Sequence, residues 1–264
     1  MKDIKETQTE VNGLPCRIWE KGEGEPLGFL AGLGGLQKWP PLLDLLAKTR
    51  RVIVPSLPGY PGALGHDLLD SQLDWVLAAQ ELLQGAGLAG CDLMGVSVGG
   101  SLAAEVAAIW KSMVKRLVLL APLGLYDEAA PVYDVFTLSP KDLPGMLCAD
   151  PEVYTALGEV PEGADAAEWR IEQIRAGEAA ARMLWPLSNT RLEKRLRRIV
   201  QPTLLLWGGE DKVLAPSYAG RFAEAIPAST QVEIVPGAGH LADLDAPHAV
   251  SEAVLGFLDE ASTA

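Results

Sequence analysis

Residues 93–110 read LMGVSVGGSLAAEVAAIW, and this stretch decides the fold. Its opening residues are apolar and unbroken, as in a strand covered on both faces. From Val98 onward the Ala-rich pattern is helical. At the corner stands Ser97, with Gly95 two residues before it and Gly99 two residues after. A serine that presents its hydroxyl above a sheet before a helix begins must sit in a sharp, strained turn. Residues two before and two after it then come so close together that they must be small. Gly100 and Ser101 keep the first helical turn slim as well. The pattern G-x-S-x-G is weak alone, and its strand-then-helix setting gives it weight.

Outward from this corner, short apolar runs alternate with longer helical patterns, the mark of a mostly parallel α/β sheet covered by helices. The spacing predicts strands at 14–20, 26–31, 51–57, 91–95, 116–122, 203–208 and 231–237. Helices are predicted at 39–48, 70–84, 98–110, 217–226 and 246–258. In the last, Ala246, Val250, Val254 and Phe257 share one face.

The rhythm breaks between 123 and 190. From Tyr126 to Ala180 there are 12 acidic residues against 3 basic ones, so this segment carries most of the net charge of −13. It predicts short helices, at 139–148 and 165–185, and no strand. A helical insertion of this kind suits a cap over the C-terminal edge of the sheet. The expected organisation is a core of 1–122 and 191–264 with a cap of 123–190. The stretch RLEKRLRRI (191–199) aligns Leu192, Leu196 and Ile199, so its basic residues read as an exposed helix face.

A serine hydroxyl needs a base, and the base needs an orienter. There are 3 histidines, so the search is short. His66 lies in the loop GALGHDLL and His248 inside the final helix; both read as surface residues. His240 ends QVEIVPGAGH, a strand followed by a Gly-rich loop that can carry an imidazole over the sheet edge, and is the preferred base. After the strand TLLLWG come Glu210 and Asp211. Asp211 is the preferred orienter and Glu210 its solvated neighbour. The order Ser97, Asp211, His240 is the one this architecture requires. The oxyanion donors are then the backbone N–H of Val98 and that of Leu33, on the loop AGLGGLQKW.

Four separated motifs resemble the α/β-hydrolase superfamily: the AGLGG loop, RVIVPSLPGYPG, GVSVGG, and the pair GGEDKVLAP and GAGHLADLDAP. The resemblance spans about residues 31–247. It implies an α/β-hydrolase fold, serine hydrolase activity and a cap inserted after the sixth core strand. Two departures stand out. Ala31-Gly32 replaces the His-Gly of many relatives, and Ser56 stands where an aspartate is usual. A serine at the nucleophile position separates this chain from members that use aspartate there, such as haloalkane dehalogenases and epoxide hydrolases.

The resemblance implies acyl transfer to water, with no metal or organic cofactor. Expected pocket residues are Trp39, Tyr126, Phe136, Met146, Met183, Trp185, Leu187, Val213 and Leu241, which would suit a small molecule with an apolar acyl or alcohol part. Three activities fit: an esterase or lactonase, a carbon–carbon bond hydrolase of the meta-cleavage type, and a ligand receptor or cofactor-free oxygenase. Meta-cleavage relatives often carry an aromatic residue after the histidine and an asparagine before the serine. Here those positions hold Leu241 and Val96, which favours the ester reading.

The net negative charge argues against nucleic acid as a partner. No run of about 18 apolar residues occurs, so no membrane span is expected. The N-terminal MKDIKETQTEV has no apolar stretch, and Cys16, Cys91 and Cys148 show no paired spacing. A cytoplasmic protein with reduced thiols is expected, and the composition leaves a homo-oligomer open.

Overall fold

The seven runs predicted as strands all form strands, and an eighth, unforeseen, precedes them. The computed structural model describes residues 3–260 apart from 186, 188 and 189. The strands are β1 (Lys5–Val11), β2 (Leu14–Lys21), β3 (Pro26–Leu30), β4 (Arg51–Pro55), β5 (Cys91–Val96), β6 (Val114–Leu120), β7 (Thr203–Gly208) and β8 (Thr230–Val235). They form one sheet in the order β1-β2-β4-β3-β5-β6-β7-β8. The β1–β2 and β2–β4 pairs are antiparallel and the rest parallel.

The unforeseen β1 reads KETQTEV and is exposed along most of its length. It hangs on the sheet edge through a tight hairpin whose turn residues, Asn12 and Gly13, both have positive φ. Asn-Gly is the pair that such a turn selects. The central strands β3, β5, β6 and β7 are buried almost throughout.

Two groups of mutually packed helices cover the sheet. One comprises α1 (Pro41–Leu46), α9 (Ala242–Asp245) and α10 (Pro247–Glu260). The other comprises α2 (Gln72–Gly85), α3 (Ser97–Ile109), α7 (Glu193–Leu196) and α8 (Tyr218–Ala225). Helix α2 begins with a reciprocal capping box between Ser71 and Asp74, which satisfies N–H groups that the first turn leaves free.

Between β6 and β7 the described residues form helices and no strand. Helix α4 (Leu143–Leu147) is half the length expected, α5 (Pro151–Gly158) was not foreseen, and α6 (Ala166–Leu184) falls where predicted. The expected helix at 191–199 shrinks to the single turn α7. Leu192, Leu196 and Ile199 are buried and Arg191, Lys194, Arg197 and Arg198 are exposed as expected, but Arg195 is half-buried and not part of a free solvent face. Arg195 pairs with the buried Glu105 on α3, and Arg198 donates to the Ala108 carbonyl at 3.0 Å. A buried carboxylate demands a cation, so the segment is drawn onto α3.

This topology sends the loops after β3, β5, β7 and β8 to the same edge of the sheet. The C-terminal edge of a parallel sheet is where α/β folds assemble their sites.

Candidate active site

Ser97 directly follows β5 and begins α3 with φ of +52°, a left-handed conformation that a serine adopts only under constraint. Such strain costs on the order of 1–3 kcal/mol and the surrounding packing must impose it. That packing is visible in the glycines. A Cβ on Gly95 would stand 2.5 Å from the Gly99 carbonyl oxygen, and one on Gly99 would stand 2.3 Å from that of Leu30. Both clashes are with backbone, which cannot swing aside. The flanking glycines therefore allow the corner to close.

The Ser97 hydroxyl lies 2.7 Å from His240 Nε2, and His240 Nδ1 lies 2.8 Å from Asp211 Oδ2. The other Asp211 oxygen accepts from the backbone N–H groups of Val213 at 2.8 Å and Leu214 at 2.9 Å. An aspartate so anchored cannot rotate away from the imidazole. The loop before His240 rests on the end of β7, where a Cβ on Gly208 would stand 1.9 Å from the Gly239 oxygen. Ser97, His240 and Asp211 are respectively 0%, 1% and 7% exposed, so the three are shut off from solvent in this conformation.

Gly32 follows β3 and packs against Ser97, its Cα facing the Ser97 Cβ and the side chain of Leu241. Next comes Leu33, half-buried, whose N–H has no protein acceptor among the described residues. Val98 lies in the first turn of α3, where backbone N–H groups lack helical partners.

Of the expected pocket residues, Met183, Val213 and Leu241 are buried, and Trp39, Tyr126, Phe136, Met146 and Leu187 are half-buried. Trp185 is exposed, its indole donating to Asp134 at 3.2 Å. The Trp39 indole N–H is buried without a partner among the described residues.

The surface position expected for His66 does not hold. It is buried, with Nε2 3.6 Å from the Glu178 carboxylate and its Cβ pressed on Gly59. Positive φ at Gly59 and Gly65 folds this loop back onto α6. His248 and Glu210 are exposed as expected. At the departure Ser56, the hydroxyl accepts from Arg17 Nη2 at 3.2 Å. Burial pushes that guanidinium down to about 10, against the pull of Glu6 and Glu172.

Two further carboxylates, to which the sequence assigns no role, follow His240. Asp243 is buried, one oxygen lacks a partner among the described residues, and burial pushes its carboxyl up to about 7. Asp245 accepts three backbone N–H groups. The sequence signal for both is their place in the motif GAGHLADLDAP, just after His240.

A profile described as "Alpha/beta hydrolase family" matches residues 29–253, an interval that contains Ser97, Asp211 and His240. The chain belongs to that family. It is 31% identical to the dihydrolipoyllysine-residue acetyltransferase component of an acetoin cleaving system from Pseudomonas putida, over 95% of this chain and 68% of the relative. It is 28% identical to a putative non-heme bromoperoxidase from Mycobacterium tuberculosis, over 90% of this chain and 95% of the relative. In structure it resembles the 2-hydroxy-6-oxo-6-phenylhexa-2,4-dienoate hydrolase of Rhodococcus sp. strain RHA1, with a TM-score of 0.78 at 17% identity. That match covers 97% of this chain and 99% of the neighbour. Family membership thus rests on most of the chain, while the names of the relatives span several chemistries.

Proposed function

We propose that this protein is a serine hydrolase that cleaves a carboxylic ester or lactone through an acyl-enzyme on Ser97. The observation that carries the reading is the unbroken relay from Ser97 through His240 to Asp211, at 2.7 and 2.8 Å. Ser97 attacks the carbonyl carbon while His240 Nε2 takes its proton. Asp211 holds the imidazole with Nδ1 protonated and stabilises the imidazolium. The N–H groups of Leu33 and Val98 receive the developing oxyanion, each worth about 3 kcal/mol in the transition state. His240 then protonates the leaving alcohol, and the same imidazole activates water to release the acid.

The segment 123–190 acts as the cap. With Ser97 wholly buried, substrate entry requires part of that cover to move. Trp39, Tyr126, Phe136, Met146, Met183, Leu187, Val213 and Leu241 then offer apolar walls to the acyl or alcohol group, with Trp185 at the outer rim.

A panel of p-nitrophenyl esters of graded chain length, run beside lactones and a vinylogous 1,5-diketone, tests this. Turnover of esters or lactones, abolished in Ser97→Ala, is the expected result. Turnover of the diketone alone would replace ester chemistry with carbon–carbon cleavage.

A further inference from the structure

Asp245 ends α9, five residues after His240, and its carboxylate gathers donors from two parts of the fold. Oδ2 accepts from Gly239 N–H at 2.7 Å and from Ala149 N–H at 2.8 Å, and Oδ1 accepts from Asp150 N–H at 3.1 Å. Gly239 immediately precedes His240. Ala149 and Asp150 join α4 to α5 in the cap. On the other side of His240, Leu241 N–H donates to the Leu147 carbonyl at 2.8 Å. The backbones themselves touch, since a Cβ on Gly239 would stand 2.9 Å from Ala149 N and 3.1 Å from Cys148 Cα. The His240 loop is therefore gripped between the end of β7, which leads to Asp211, and cap residues 147–150.

Hydrogen bonds to a carboxylate are about twice as strong as those between neutral groups. One of the three on Asp245 fixes the His240 loop, and the other two fix the cap. We propose that Asp245 is a positioning residue that makes the orientation of His240 depend on the docking of the cap. The proposal rests on the hydrolase reading above. When residues 147–150 lift away, Asp245 loses two of its three donors and Leu241 loses its acceptor. The loop carrying the imidazole then relaxes. The relay is complete when the cap is down and slack while the site stands open to water, which is assembly of a catalytic site by closure.

Asp245→Asn tests this, because an amide keeps one acceptor oxygen and presents an NH2 where a second acceptor is needed. The variant is expected to lose about 10- to 100-fold in kcat, the effect of misplacing a reacting group by an ångström or less. KM should change by less than about threefold. The acid limb of the kcat–pH profile should move, and Asp245→Glu should recover part of the loss. In the wild-type protein, amide hydrogen exchange should show segments 147–151 and 237–241 opening as one unit. A folded Asp245→Asn enzyme with wild-type kcat and pH profile would overturn the proposal. So would independent exchange of the two segments, a result that needs no variant to fold. Failure of the wild-type protein to hydrolyse any ester or react with a fluorophosphonate would overturn the hydrolase reading instead, and the exchange measurement would still judge the clasp.

Discussion

Replacing Asp211 by Asn changes one atom and should nearly stop the reaction. The reason lies in the two backbone donors that hold Oδ1, Val213 N–H at 2.8 Å and Leu214 N–H at 2.9 Å. An asparagine there has two orientations. Turning its NH2 toward those donors forfeits both bonds, at about 1–3 kcal/mol for each buried group left unsatisfied. The oxygen therefore stays at the Oδ1 position, and the NH2 faces His240 Nδ1. That nitrogen must then accept, so the ring proton moves to Nε2, the atom 2.7 Å from the Ser97 hydroxyl. An imidazole protonated at Nε2 cannot take the serine proton. Loss of the correct tautomer costs about 10^4-fold in kcat in hydrolases with this relay, or roughly 5 kcal/mol. The assay is kcat on the best ester of the panel, beside the rate constant for fluorophosphonate inactivation, with Tm as the control for folding. Both rates should fall by at least about a thousandfold with Tm little changed. A folded Asp211→Asn enzyme within tenfold of wild type would refute the argument.

Gly99→Ala should be destabilised by about 3 kcal/mol, at the upper end for overpacking. Its Cβ would meet two backbone oxygens, at 2.3 and 2.6 Å. Gly177→Ala in α6 meets nothing within 4 Å among the described residues and should gain roughly 0.5–1 kcal/mol from helix propensity; equal effects in urea unfolding would contradict the packing argument. For Asp243 the sign follows from a folded carboxyl raised to about 7 against 3.8 for the free group. The folded state keeps a proton that the unfolded chain releases, so this residue's contribution to stability falls as pH rises from about 4 to 7 and is level beyond. Asp243→Asn should therefore gain on the wild type across that window, by on the order of 2–4 kcal/mol. A stability difference equal at pH 4 and pH 8 would refute the burial of a neutral acid.

What the sequence disclosed followed the reach of each interaction. The Gly95–Ser97–Gly99 corner was legible because its constraint is local, and the glycines record it residue by residue. Asp211 and His240 were legible because strand ends are easily placed and there were few histidines to choose among. Strand β1 was not, since KETQTEV has no apolar face to mark and is held through the hairpin and a bond from the Trp19 indole to Glu6 at 2.8 Å. His66 was misjudged because its burial depends on α6, more than a hundred residues later in the chain. Arg195 was misjudged for a similar reason. A basic residue on a short helix reads as solvated until a buried Glu105, 90 positions away, is brought beneath it. The clasp at Asp245 spans a separation of 96 residues to Ala149, and no local pattern announces it.

The central claim is that Ser97 is the nucleophile. It is tested most directly by treating the protein with a fluorophosphonate and locating the adduct by mass spectrometry. One adduct on the peptide containing Ser97, absent from Ser97→Ala, is the predicted result. Labelling of Ser97→Ala at the wild-type level, or a folded wild-type protein that takes no label, would contradict it.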